Sequence, residues 1–366
     1  MGGAERQALY LVEHLKGLQG CDVEVLTFHD GDALRPHLDR LGIRPHVLPY
    51  YFRWSRARRA RAIAHLAWML RTRIKPDALL PFVGIHSKVI AQAWPYSGAR
   101  FCWWNQQDEG RDLNGTPEEK RILERVSAIT SNSVAGRDFL SRTYGIEPGR
   151  IFVYNNGTPL LDRVDASNLE SRLKIESRPV VSMVANVTAY KDHATLIDAW
   201  AIVRRRFAGS AAPVLLVAGS LSDKATVNRL VSQAFHLGLS ASDIVFLGPV
   251  DNVAEVMSAS DLVVHSSLTE GCPNSVCEAM SLGLPVVATD IAGCRQALGD
   301  GASESLSSPR DAAELAERII RMLEDPALRR ATGDRNRERI RADFSIEGMN
   351  SFFQSRIEAG LGVGLN

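Results

Sequence analysis

Hydrophobic residues in the second half of the chain fall in short, β-rich runs separated by longer amphipathic stretches. The runs are 180–185 (VVSMVA), 213–218 (PVLLVA), 243–247 (DIVFL), 261–266 (DLVVHS) and 285–289 (PVVAT). Near-continuous apolar character marks strands buried on both faces of a parallel sheet. Helical patterns fill the gaps at 192–207, 223–238, 252–259 and 274–282. This alternation implies right-handed βαβ crossovers and a doubly wound sheet, whose ligands bind where strands end and helices begin. The first half repeats the rhythm less cleanly. Strands are expected at 22–27, 45–48, 77–80, 100–104, 127–131 and 150–154, with helices at 4–19, 58–72 and 132–144. It opens at a glycine turn and a helix, where a doubly wound domain normally begins with a central strand. The expectation is that this first strand is missing through truncation.

At 366 residues the chain is too long for one ordinary core and suits two α/β domains. The segment 155–178 is polar, contains Gly157 and Pro159, and lacks apolar periodicity, so it reads as the interdomain connection. The division expected is an acceptor-side domain over 1–157 and a nucleotide-sugar-binding domain over 158–344. Two such units facing across a cleft would make a closing clamp. Apolar periodicity returns at 309–324 and 345–360, and the last helix is expected to pack back on the first domain.

Composition narrows the function classes. Hydrophobic residues make up 45%, charged residues 23%, and the formal net charge is +1, which favours a soluble protein and gives no general argument for nucleic acid. Cys21, Cys102, Cys272, Cys277 and Cys294 lack zinc spacing, and their odd number fits reduced thiols. No run is long enough for a membrane span, and the N-terminus has no signal-peptide pattern. A cytoplasmic protein is expected, with a peripheral position on the inner face of the membrane as the alternative.

The densest chemistry lies in 261–290, DLVVHSSLTEGCPNSVCEAMSLGLPVVATD. A buried strand ends near Ser266 and a polar turn holds Glu270 and Gly271. Pro273, Asn274 and Ser275 then open a helix that stops at Gly283, with a polar cap expected at its start. Seven residues separate Glu270 from Glu278. One acid therefore lies in the loop and the other about a turn inside the helix, so they offer acceptors at two depths along one ligand. Between them the helix N-terminus supplies amide donors and a positive dipole end for a phosphate. Carboxylate, anion site and carboxylate match a sugar–diphosphate–ribose ligand.

This segment resembles the signature of family 4 of the retaining GT-B glycosyltransferases (glycosyltransferase group 1), EGxPNxxxEAM followed by PVVATD. The resemblance extends to Gly2-Gly3-Ala4-Glu5-Arg6, the stretch Asn132 to Leu140, Asn156-Gly157, Lys191 and 246–253. It implies that Glu278 binds the ribose hydroxyls and Glu270 the transferred sugar. The backbone of Gly271, Cys272, Pro273, Asn274 and Ser275 would hold sugar and phosphate, and Lys191 would neutralise the departing diphosphate. Residues near Gly248, Val250 and Val253 would border the base, and Gly2 and Gly3 would close over the diphosphate or acceptor side. Two positions depart from the family pattern. Asn186 stands where an arginine usually gives a second diphosphate clamp. A histidine on the sugar's N-domain side has no clear counterpart, and His86 is a candidate for it beside the stretch Trp103 to Glu109.

Plainer readings stand beside these. Lys191 also fits a surface helix start, and Cys272 and Cys277 fit small apolar packing better than metal binding. Asp30-Gly31-Asp32 has a metal-dependent transferase form, yet turn chemistry explains it more simply. The resemblance implies a metal-independent enzyme without a cofactor, its nucleoside diphosphate sugar being a substrate. The stretch 53–75 has eight Arg or Lys and no acid, with Ala62, Ile63, Leu66, Ala67 and Leu70 on an apolar side. It suits either an anionic membrane surface or a core-facing helix with a solvated basic edge. The expected reaction is sugar transfer to a hydroxyl of a glycan or lipid-linked acceptor, with retention, in polysaccharide or glycolipid synthesis. A non-catalytic GT-B binding protein and a sugar-nucleotide epimerase are the alternatives.

Overall fold

The computed structural model describes residues 2–28, 34–51, 55–111, 113–207, 209 and 212–365. The chain divides into two compact units, one formed by 1–157 with 346–366 and the other by 158–345.

Unit 1 holds strands β1 (Leu26–Thr27), β2 (His46–Val47), β3 (Ala78–Leu79), β4 (Phe101–Gln106), β5 (Ala128–Ser131) and β6 (Ile151–Val153). All pair in parallel, β1 with β2 and the others in the order β3-β4-β5-β6. The run 22–27 forms only the two residues of β1. Asp22 and Glu24 interrupt its apolar pattern, and its only ladder partner among the described residues is β2. Alternation along β4 sends neighbouring side chains to opposite faces. Trp104 joins the core with Leu66, Leu123 and Leu140, while Trp103 joins Leu11, Tyr154 and Phe353. Phe353 belongs to the helix Ile346–Leu361, so the chain's last helix completes the unit that its first helix, Gly3–Gly17, begins. Gln7 of that first helix clamps Gly157 through both of its amide atoms, at 3.0 and 2.9 Å.

The basic stretch forms the helix Arg56–Met69, continued by a π-helical turn, Leu70–Ile74. Leu66, Ala67, Met69 and Leu70 are buried, and Ala62 and Ile63 pack on the same core. The apolar side of this helix is therefore used inside the protein. Arg56, Arg58, Arg61, Arg71 and Arg73 are exposed, as is Trp68, over which the Arg73 guanidinium lies at 4.9 Å. Asp30-Gly31-Asp32 lies outside the described residues.

Unit 2 holds β7 (Val180–Val184), β8 (Val214–Ala218), β9 (Ile244–Gly248), β10 (Leu262–His265), β11 (Val286–Thr289) and β12 (Leu306–Ser307). They form one parallel sheet in the order β9-β8-β7-β10-β11-β12. The chain winds outward from β7, returns to the middle and winds outward again from β10. In such a sheet the crevice for ligands opens at the carboxyl ends of the two strands flanking the reversal, here β7 and β10.

Two features depart from the sequence reading. The segment 155–178 is not a free connection. It carries the helix Ser167–Leu173, and Ala166, Leu169 and Ile175 are buried in unit 2 against Val180 and Val214. Its apolar residues are too few and too widely spaced to show a period. The second is the 18-residue helix Pro326–Asp343, whose buried face is Thr332, Gly333, Asn336 and Ile340. A largely polar face leaves no hydrophobic signal, although Asp325 and Pro326 are a standard helix start.

Candidate active site

The site is built on the two central strands. All four residues of β10 are buried. After it, Ser267 and Leu268 tie the loop to the loop that follows β7. The Ser267 hydroxyl and the Leu268 amide both donate to the Tyr190 carbonyl, at 3.2 and 2.8 Å, and Ser266 donates to the Lys191 carbonyl at 3.3 Å. On its other side the Ser267 amide donates to Thr289 Oγ1 of β11 at 2.8 Å. These bonds set Lys191 beside Glu270.

Lys191 Nζ donates to Glu270 Oε1. His265 Nε2 donates to the same oxygen at 2.9 Å, and its Nδ1 lies 3.5 Å from the hydroxyl of Ser275, in the first helical turn. His265 thus joins the carboxylate to the helix. Glu270 is 8% exposed and His265 1%. Burial opposes charge on Glu270, but the His265 hydrogen bond and the Lys191 ammonium outweigh it and hold the carboxyl down at about 2. Burial lowers the His265 pKa, outweighing the opposite pull of the Glu270 carboxylate. The neighbouring His193 is 2% exposed, and neither of its ring nitrogens has a partner. Burial, with His265 and Lys191 nearby, pushes it down to about 4.

The helix Asn274–Ser281 has Pro273 as its N-cap, and no side chain caps it. The polar cap expected from the sequence is absent; the Val276 and Cys277 amides turn back to the Pro273 carbonyl, at 3.0 and 3.2 Å, and the positive end of the dipole is left without a side-chain acceptor. Its far end is held by unit 2 itself. Gly283 takes φ +69°, and Arg337 donates to the Ser281 carbonyl at 2.8 Å, placing a cation at the negative end of the dipole. Glu278, the fifth residue of the helix, is buried at 8% exposure.

The remaining residues distribute as follows. Asn186, exposed at the end of β7, accepts from the Ser220 amide at 2.9 Å and ties the β7 and β8 loops together. Gly248 ends β9 with φ +74°, and its carbonyl accepts from the Gly219 amide at 2.9 Å. Val250 packs on the cluster that contains Val256 and Ala259, whereas Val253 packs on the one that contains Cys272, Val276 and Cys277. Gly2, Gly3 and His86 belong to unit 1. Gly2 caps its first helix, and the His86 ring stacks on Phe28 at 4.8 Å.

Sequence reasoning missed His265, His193 and Gly293. A Cβ at Gly293 would meet the Gly271 and Glu270 carbonyl oxygens at 2.4 and 2.5 Å. This glycine lets the helix Ala292–Leu298 press directly on the loop carrying the acid. The ring of His265 lies within an apolar strand run, where a histidine resembles ordinary core. Among the described residues no group of three or more His, Cys, Asp or Glu is arranged to hold a metal ion.

Comparison with known families agrees with this architecture. Residues 1–160 match the profile of Glycosyltransferase Family 4, and residues 178–325 match that of Glycosyl transferases group 1. The chain belongs to this family. Relatives include D-inositol 3-phosphate glycosyltransferase of Nocardia farcinica, 30% identical over 57% of this chain and 47% of that protein. Alpha-maltose-1-phosphate synthase of Mycolicibacterium smegmatis is 30% identical over 62% of each. The chain spans about half the length of the first of these curated relatives. Among solved structures, Anabaena HepE in complex with UDP and glucose superposes with a TM-score of 0.82 at 21% identity, over 98% of this chain and 96% of that one. A glycosyltransferase from Rickettsia africae gives 0.84 at 18%, over 98% and 95%. These likenesses are of fold, and this family 4 chain has the GT-B fold of two Rossmann-like α/β domains.

Proposed function

We propose that this family 4 chain transfers a sugar from a nucleoside diphosphate sugar to a hydroxyl of a glycan or lipid-linked glycan. The observation that carries the reading is the Lys191–Glu270 pair, set at the β7–β10 reversal beside an uncapped helix N-terminus. Without ligand the two charges neutralise each other. A bound donor would divide them, the ammonium turning to the diphosphate and the carboxylate to the sugar hydroxyls. Glu278 would take the ribose hydroxyls, and Gly271 to Ser275 would supply backbone donors. Asn186 would border the diphosphate as a neutral amide, Gly248 to Val253 would border the base, and Gly2, Gly3 and His86 would serve the acceptor or diphosphate side.

The acceptor oxygen bonds to the anomeric carbon on the face from which the diphosphate leaves. The acceptor's proton passes to a departing phosphate oxygen, giving a glycoside of retained configuration and a nucleoside diphosphate. Positioning and stabilisation of the leaving charge supply most of the rate, without a metal.

Acceptor-dependent release of nucleoside diphosphate tests this reading, with UDP-, GDP- and ADP-sugars as donors. An epimerase would change the sugar without consuming acceptor, and a binding protein would release nothing. Glu270→Ala and Glu278→Ala should each abolish turnover; near-normal rates in both would remove the site assignment. A role in polysaccharide or glycolipid synthesis would bring the enzyme to an anionic membrane through the 53–75 face. With the apolar side buried, that contact rests on the arginines and Trp68. Vesicles with anionic lipid should co-sediment the protein in a salt-sensitive manner, and changing Arg56, Arg58, Arg59 and Arg61 together to Ala should abolish this. Among the described residues no helix is long and apolar enough to cross a membrane.

A further inference from the structure

Two thiols stand at the donor site with no part in the proposed transfer. Cys272 follows Gly271 in the loop after β10, and Cys277 is the fourth residue of the helix Asn274–Ser281. With Pro273 as N-cap, these are the positions just before the helix and one turn inside it. Apolar side chains commonly meet there and fix the angle at which the chain enters. Here both side chains are thiols, their sulfurs 3.9 Å apart, with exposures of 7% and 0%. Val263, Val276 and Ile291 belong to the same cluster. A disulfide bond is about 2.05 Å long, so closure needs an approach of roughly 1.9 Å.

We propose that Cys272 and Cys277 form a reversible disulfide that switches off donor binding, an inference that rests on the donor-site reading above. The oxidant is a low-molecular-weight disulfide. Cys272, the more exposed thiol, attacks it as a thiolate and expels one small thiol. Cys277 then gives up its proton and attacks the Cys272 sulfur, expelling the second. Two protein thiols are oxidised and one external disulfide becomes two thiols. The hydrogen bond to Cys272, together with burial, holds the Cys277 thiol well above its usual pKa, so closure is slow and needs sustained oxidant.

Closure acts on the site through the loop. Drawing Cys272 toward the helix pulls on Gly271 and Glu270, whose carbonyl oxygens rest against Gly293. The Glu270 carboxylate then leaves the position in which Lys191 and His265 hold it, and the first-turn amides turn with the loop. A bound donor covers the same loop, so it should protect the thiols.

The full chain is incubated with oxidised glutathione, then alkylated and cleaved after glutamate. Cleavage after Glu270 and Glu278 releases 271–278, which carries both thiols, while Cys294 falls in another peptide. The expected result is a 271–278 peptide lighter by two hydrogens. Whichever of UDP, GDP or ADP the reduced protein binds should bind at least about tenfold more weakly, with recovery after dithiothreitol. Before oxidation Cys277→Ala should bind as the reduced protein does; with oxidant it should stop at a Cys272–glutathione mixed disulfide, never a 271–278 peptide lighter by two hydrogens, and Cys277→Val serves if the alanine variant does not fold. An unchanged peptide, a link to Cys294, or a disulfide without loss of affinity would overturn the proposal. If the reduced protein binds no nucleoside diphosphate, the donor-site reading fails, while the mass of 271–278 still reports the disulfide.

Discussion

Among single residues, Lys191 and His193 do different work from the same turn. Lys191 is the cation expected to meet charge developing on the leaving diphosphate. Its removal should lower kcat by about 100- to 1,000-fold, the usual effect of losing one such group, and should also lower thermal stability, because Glu270 stays buried with one partner fewer. Steady-state kinetics with a saturating donor, beside a melting curve, separate the two effects. His193 is buried without a partner for either nitrogen and is held down at about 4. The unfolded chain takes up that proton near pH 6.5, whereas the folded protein does so only near pH 4. The unfolded state therefore binds more protons in between, and stability rises with pH across this window. Acidification from 6.5 to 4 should cost up to about 3 kcal/mol at this residue. His193→Leu should flatten that part of the denaturant-measured profile, and an unchanged slope would contradict the assignment. Glu270 runs further into acid. Its depressed carboxyl contributes stability that is whole above about pH 4.3 and is lost only as pH falls toward 2.

At the scale of elements, the site depends on how closely backbones approach. Gly293 lets one helix seat on the Glu270–Gly271 loop, and Gly333 lets another approach the Gly283 carbonyl, where a Cβ would lie at 2.1 Å. Backbone cannot give way as a flexible side chain can. Gly293→Ala should therefore cost about 1–3 kcal/mol through overpacking and weaken nucleoside diphosphate binding as the loop shifts. Thermal unfolding and ligand titration report the two losses, and normal affinity would mean that the loop is more adaptable than its packing implies. The elements most readable in advance were the buried strands β7 to β11 and the helices between them, because a strand covered on both faces must be apolar throughout. Less readable were β1, whose run includes Asp22 and Glu24, and the helix Pro326–Asp343, which buries Thr332, Gly333 and Asn336 in place of a hydrophobic stripe.

For the whole molecule, each unit has its own core, and the last helix belongs to unit 1. A chain ending at 345 loses Met349, Phe353 and Ile357 from that core. It should lose the unfolding transition of unit 1 while unit 2 still melts cooperatively and is stabilised by nucleoside diphosphate. Loss of both transitions would contradict this division. Taken alone, the sequence determined the family, the α/β alternation and the acids on either side of a helix start, since strand burial, helix punctuation and ligand chemistry all act on neighbouring residues. Only the tertiary structure decided that Lys191 meets Glu270, that Gly293 supports the loop, and that the apolar side of the helix Arg56–Met69 is spent on the core. Those contacts join segments far apart in the chain or turn on where a backbone finds room, and no local pattern of residue types encodes either.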